Sequence, residues 1–459
     1  MSNPSYLFRK ATLLTGDTQT RADLLVSQGI IQASGMGLNK PDEAVVEVDA
    51  SPYLIMPAAI DPHVHLQLPT PAGNSSDDFV SGSMAAISGG TASLIDFVTP
   101  RRGQLLPEAL HERLNEAKNC RCDYLLHLGI SEWNSEVEKG LRICAESGGI
   151  RSVKAYLAYR QTIGINDVEL SELMRVCHDL NLVLCIHCED GERIDSLRGQ
   201  MLAKGVNGPA GHLFSRPPET ESDAVARVLE LVKETSCTVY LVHISTAASI
   251  GHIRKAKEAD LPVYAETCPQ YLLLDKTACY RELPDSLAYV ISPPLRSAAD
   301  REALWAALAD GTIDTIGTDH CPFNLRGQKD LGINNFTIIP NGTGGIENRM
   351  ELLFTYGVLE NRISLNRWVS LCCEMPARIF DLFPRKGSLR PGADADLLLW
   401  DTKPGRIIRA ANLFQNCDHS VYEGFSTQGQ VHFLMKNGGV IFQEGEHIQD
   451  LPSVRFLGS

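Results

Sequence analysis

Ala58-Ala59-Ile60-Asp61-Pro62-His63-Val64-His65-Leu66-Gln67 begins as an apolar run and ends on two histidines one residue apart. Side chains alternate faces along an extended strand, so His63 and His65 point one way and Val64 the other. Two imidazoles on one face, at the end of a buried strand, can begin a metal site. A His-x-His pair can equally be a satisfied polar pair at a strand end, so the stretch needs its surroundings.

Outward from it, apolar strand-like runs alternate with amphipathic helical segments over residues 57–384. The strand candidates are Tyr53–His65, Thr91–Val98, Tyr124–Ile130, Ser152–Ala158, Leu182–Glu189, Thr238–Ser245, Val263–Tyr271 and Asp314–Cys321. Between them lie helix candidates such as Asp77–Ser88, Pro107–Lys118, Asp167–Leu180, Ser222–Thr235 and Asp300–Ala309, several opening on Asp, Ser or Pro as helix starts do. Eight strands alternating with helices predict an α/β fold, a (β/α)8 TIM barrel. The alternative, an open doubly wound sheet, usually has fewer strands and a Gly-rich first turn. No Gly-x-Gly-x-x-Gly follows the first strand.

The two flanks read differently. Residues 1–56 and 385–459 are short apolar or alternating runs broken by Gly-containing turns, such as Ala22-Asp23-Leu24-Leu25-Val26 and Gly429-Gln430-Val431-His432-Phe433-Leu434-Met435. They are expected to pair into one small β domain beside the barrel, residues 57–384.

Composition narrows the function classes. A net charge of −14 argues against a nucleic-acid footprint. No apolar run approaches the ~18 residues that span a bilayer, and no basic region followed by an apolar block marks a secretory signal. Thirteen cysteines spread through apparent core segments read as reduced, buried thiols. A cytoplasmic protein with no membrane partner is the expectation.

Chemistry in a parallel barrel gathers at the C-terminal ends of the strands. Those ends offer His63 and His65 from the first, Lys154 from the fourth, His187 from the fifth, His243 from the sixth and Asp319 from the eighth. Any one could be a satisfied core polar group; six in the same relative place point to a site. Six exceed the three protein ligands usual for one catalytic zinc, so two metals fit better. Lys154 would be repelled by cations unless a dry site made it neutral. A neutral amine can add carbon dioxide, and the carbamate could bridge both ions. A strand-end lysine reaching to solvent is the competing reading. Cys185 and Cys188 are spaced like a zinc knuckle but point to opposite faces of a strand and read as packing. His320 is expected to be structural, and His127 to stay out of the site. The Gly-rich Pro340–Gly345 lacks the Lys-Ser/Thr ending of a phosphate loop.

These stretches resemble a known group. Asp61-Pro62-His63-Val64-His65-Leu66-Gln67 is similar to the metal motif of the cyclic amidohydrolases. Ser76-Asp77-Asp78-Phe79, Glu266-Thr267-Cys268-Pro269-Gln270-Tyr271-Leu272, Ser292-Pro293-Pro294-Leu295-Arg296, Thr318-Asp319-His320-Cys321-Pro322-Phe323 and Ile339-Pro340-Asn341-Gly342 resemble dihydropyrimidinases, also called D-hydantoinases. The resemblance implies a two-zinc site bridged by N6-carboxylated Lys154. His63, His65, Lys154 and Asp319 would hold one ion, and Lys154, His187 and His243 the other. It implies that Tyr159 hydrogen-bonds the substrate carbonyl oxygen, and that the backbones at Ser292 and Asn341 bind the cyclic amide. It implies a β-sandwich form for the small domain built from both chain ends, a homotetramer, and hydrolysis of a cyclic amide in dihydropyrimidines or 5-substituted hydantoins to N-carbamoyl amino acids. Asp319 would move the proton from water to the leaving nitrogen. An allantoinase shares the metal ligands, and related non-catalytic scaffolds have lost them; this chain keeps all six. Gln67 stands where dihydroorotases carry Arg, which argues against dihydroorotate. Thr70, Tyr156 and Ile163 fall in loops expected to shape the pocket for the exocyclic group.

Overall fold

Eight runs whose residues are almost entirely apolar or inward-facing form the parallel strands expected of them, because helices cover their outer faces. The computed structural model describes residues 4–448 and 453–458. The strands are β1 (Ala59–Val64), β2 (Thr91–Val98), β3 (Asp123–Gly129), β4 (Ser152–Tyr156), β5 (Val183–His187), β6 (Val239–Leu241), β7 (Val263–Thr267) and β8 (Thr315–Ile316). They lie side by side in chain order in one sheet.

The barrel closes between its first and last strands. Val64 pairs in parallel with His320, and the His65 amide donates to the His320 carbonyl at 2.8 Å. Arg349, fully buried, donates from Nη1 to Ile60 O at 3.0 Å and Ile316 O at 2.8 Å. One guanidinium thereby stitches β1 to β8 where the ladder itself is short. Inside, Ile60, Ile95, Leu125, Cys185 and Tyr240, one from each of five strands, pack with Phe380. The interior is filled, so a ligand can reach only a rim.

Six of the eight strands are shorter than the sequence suggests, and at β6, β7 and β8 the backbone shows where the run breaks. β6 stops at Leu241 and β8 at Ile316 because His243 and Asp319 take left-handed backbone angles, φ 42° and 51°. β7 stops at Thr267 because Pro269 opens a short helix, Pro269–Leu273. The helix expected over Asp77–Ser88 runs over Phe79–Ser88, and Asp78 caps it through Val80 N and Ser81 N. Asp77 is left free for another task. The helix expected at Ser222 starts earlier, at Pro218, where proline fits the first turn.

Both chain ends meet in one nine-stranded sheet. The join is Leu54–Pro57 against Leu397–Ile407, antiparallel, with Leu397 opposite Pro57 and Trp400 opposite Leu54. Phe8, Leu24, Ile55, Leu397, Leu399 and Phe433 form its separate core. Since Leu54–Pro57 leads straight into β1, this sheet anchors the strand that carries the first two histidines. No helix among the described residues is long and apolar enough to cross a membrane. The thirteen cysteines are all free thiols, twelve of them buried.

Candidate metal centre

His63, His65 and Asp319 converge although 254 residues separate the last two. His63 Nε2 and His65 Nε2 each lie 3.2 Å from the same oxygen, Asp319 Oδ1. Their ligand-type atoms fall within 4.8 Å of one another. At 3.2 Å, His63 Nε2 still lacks the alignment of a hydrogen bond and has no other partner. A buried nitrogen aimed at an oxygen without bonding it suits a shared ion better than a direct contact. His243 continues the ring of imidazoles, its centroid 5.5 Å from that of His63, and His187 lies 4.6 Å from His243.

Lys154 stands among them with 1% of its surface exposed and no hydrogen-bond partner on Nζ. The amine sits 5.1 Å from the centre of the Phe97 ring and 5.0 Å from that of Tyr156. Burial pushes it below its ordinary value. Burial also keeps His63 and His243 well below the usual histidine range, so they present neutral imidazoles. Neutral imidazole is the form that ligates a metal. Burial drives the Asp319 carboxyl up, but His63 and His65 beside it more than reverse this, leaving it below the usual carboxylate range.

Two glutamates hold the imidazoles in place, and sequence reasoning had assigned neither a role. Glu266 accepts from His63 Nδ1 at 2.7 Å, from Tyr240 Oη at 2.7 Å and from the His243 amide at 3.1 Å. It therefore steadies a residue from each proposed ion. Burial raises its carboxyl to about 7. Gly317 makes room for it: a Cβ there would lie 2.9 Å from His63 Cβ and closer still to the Glu266 carboxylate. Glu189 takes His187 Nε2 at 2.8 Å and is paired with Arg216. Burial alone would raise Glu189, but Arg216 and His187 bring it to about 2. The outer-nitrogen contacts fix which nitrogen of His63 and His187 faces inward. The available signal was position: Glu189 follows His187 by two residues and Glu266 ends its strand.

Other residues fall as follows. Tyr159 is half-buried at the mouth, φ 57°, its ring 5.5 Å from His187 and stacked under the Arg216 guanidinium at 5.2 Å. Gln67, Tyr159, His243 and Asp319 all adopt left-handed angles, a concentration of backbone strain of the kind found at functional sites. Ser292 and Asn341 are both half-buried, on loops joined by a hydrogen bond from Gly342 N to Val290 O of 3.1 Å. His320 turns away from the mouth; Nε2 meets Asp77 at 3.0 Å and Nδ1 accepts from the Gly345 amide at 3.1 Å. His127 lies beneath the site, bonded to Ser152 Oγ and Pro62 O, and burial lowers it to about 3. Cys185 packs inside the barrel and Cys188 in the larger core outside it.

Residues 54–441 match the amidohydrolase family. The D-hydantoinase of Geobacillus stearothermophilus is 36% identical over 445 residues, covering 96% of this chain and 94% of that one. A D-phenylhydantoinase of Escherichia coli O1:K1 is 35% identical, covering 98% and 97%. The crystal structure of dihydropyrimidinase from Brevibacillus agri NCHU1002 superposes with a TM-score of 0.96 at 35% identity, covering 99% of this chain and 98% of that one. The chain belongs to the amidohydrolase family, within its dihydropyrimidinase and D-hydantoinase group.

Proposed function

We propose that this chain hydrolyses the cyclic amide bond of 5,6-dihydropyrimidines or 5-substituted hydantoins, giving N-carbamoyl amino acids, on two zinc ions bridged by carboxylated Lys154. The observation that carries the reading is the Lys154 amine, buried and unpartnered beside imidazole and carboxylate donors. A neutral amine adds carbon dioxide with formation of an N–C bond and release of one proton. The carbamate carries one negative charge shared over two oxygens, so it would offer an anionic donor to each of the two ions. His63, His65, the carbamate and Asp319 would hold one ion, and the carbamate, His187 and His243 the other. Bound zinc would supply an acidified water and a Lewis acid for the ring carbonyl.

The chain's own residues then divide the work. Asp319, with 17% of its side chain exposed, opens on the mouth. It takes a proton from the attacking water and delivers it to the ring nitrogen as the C–N bond breaks. Tyr159 donates a hydrogen bond from its hydroxyl to the oxygen that gains charge. The backbones at Ser292 and Asn341 orient the ring. Glu189 and Glu266 keep the imidazoles turned inward. The same reading takes residues 57–384 as the catalytic domain and a homotetramer as the working form in the cytoplasm.

A substrate panel tests it. Zinc-loaded protein supplied with bicarbonate is assayed on dihydrouracil, 5-substituted hydantoins and allantoin. Ring opening of the first two classes is expected. Turnover of allantoin alone would move the assignment to an allantoinase, and no turnover with two zinc bound would remove it.

A further inference from the structure

Lys329 belongs to neither the metal centre nor any role given above. It is completely buried, at the start of the short 3-10 helix Lys329–Gly332. Its Nζ donates to two main-chain carbonyls, Val290 O at 3.0 Å and Pro340 O at 3.1 Å. A buried ammonium ordinarily needs a carboxylate, and none pairs with it among the described residues. Burial brings the amine down to about 7. A neutral amine keeps two N–H groups, and two carbonyls accept them, so the arrangement is satisfied without a counter-ion.

The identity of the two acceptors gives the residue its meaning. Val290 stands two positions before Ser292, and Pro340 one position before Asn341. The first loop is held again by His212, whose Nε2 lies 2.8 Å from Ile291 O. The second is tied to the first through Gly342 N on Val290 O. Lys329 comes from a third segment and reaches both, so one side chain sets the spacing between the loops that carry Ser292 and Asn341.

We infer that Lys329 is a positioning residue for the substrate: its amine cross-links the Ser292 and Asn341 loops and so fixes their fit to the cyclic amide. The inference rests on the ring-binding role proposed for those two backbones. A loss of uniform substrate binding raises KM and leaves kcat in place, whereas damage to the metal centre lowers zinc content and kcat.

The experiment uses full-length, zinc-loaded protein and the best ring substrate of the panel. Lys329→Met keeps the length of the stem and removes both donors. Its KM is expected to rise on the order of tenfold, the scale of one or two lost buried hydrogen bonds, with kcat within about threefold of wild type and zinc content unchanged. Lys329→Gln restores donors on a shorter stem and should recover part of the KM. An unchanged KM in zinc-loaded Lys329→Met overturns the inference, as does a fall in zinc and kcat together. If the Met variant does not fold, Lys329→Gln decides by the same measurements: raised KM with zinc and kcat kept supports the role, and wild-type KM ends it. Failure of the parent reading looks different, because zinc-loaded wild type then turns over no ring at all, and the inference falls with it.

Discussion

The two rims of the barrel treat buried charge in opposite ways. At the C-terminal rim, His63 Nε2, His65 Nδ1, His243 Nδ1 and Lys154 Nζ are buried without hydrogen-bond partners. At the N-terminal rim, Asp123 opens β3 and is just as buried, yet it is surrounded. Lys386 Nζ lies 2.7 Å from Asp123 Oδ2, Arg455 Nη2 2.9 Å from the same oxygen, and the Arg455 amide 3.0 Å from Oδ1. Lys386 is paired with Asp396 as well. Buried polar atoms normally find partners, because leaving one bare costs about 1–3 kcal/mol. A rim that leaves several bare has reserved them for something that arrives later. The satisfied rim ties Arg455 to the barrel wall, and it does structural work.

Asp319→Asn should break the comparison hardest. Turnover is expected to fall on the order of 10²-fold or more, the scale of a lost general acid–base group, with Tm almost unmoved. Near-normal kcat would show that the bare rim does not use Asp319 to carry a proton. Asp123→Asn should do the reverse. It should cost about 2–3 kcal/mol in denaturant unfolding, less than breaking an isolated buried pair because Asp396 still faces Lys386, and leave kcat in place. A loss of activity matching that of Asp319→Asn would erase the distinction between the rims.

Glu266→Gln sharpens the picture within the C-terminal rim. It removes the carboxylate behind His63 and is expected to weaken zinc retention about 10–100-fold, the usual cost of losing such support. Competition with a graded chelator series would read it. The smallest effect concerns pH. Burial raises the Asp123 carboxyl, but Lys386 and Lys436 overcome this and hold it at about 2, below its ordinary 3.8. A carboxyl depressed in the folded state contributes stability that is full above its unfolded value and lost as pH falls through its folded one. Acid unfolding followed between pH 4 and pH 2 should therefore lose a component in wild type that Asp123→Asn lacks. Parallel acid curves for the two would contradict the assignment.

The legible part of the site was the part written as strand ends. His63, His65, Lys154, His187, His243 and Asp319 could be placed on one rim because parallel strands all point their C-terminal ends the same way. Glu266 and Glu189 were visible as letters but not as partners, since nothing in the chain says which acid will stand behind which imidazole. Asp77 shows the same limit from the other side. It looked like a helix cap, but its neighbour Asp78 took that task, and Asp77 accepts from the Asn416 amide at 2.8 Å and faces His320.

Period and spacing by themselves were enough for the eightfold alternation, and residue type put six donor side chains at strand ends, because these depend only on local backbone geometry repeated along the chain. Only the folded molecule decided that His63 and His65 share one oxygen of Asp319, that Arg349 closes the seam, and that Lys329 reaches two loops at once. Each of those depends on distances between segments tens to hundreds of residues apart, set by how whole layers pack, and no local pattern encodes such a distance.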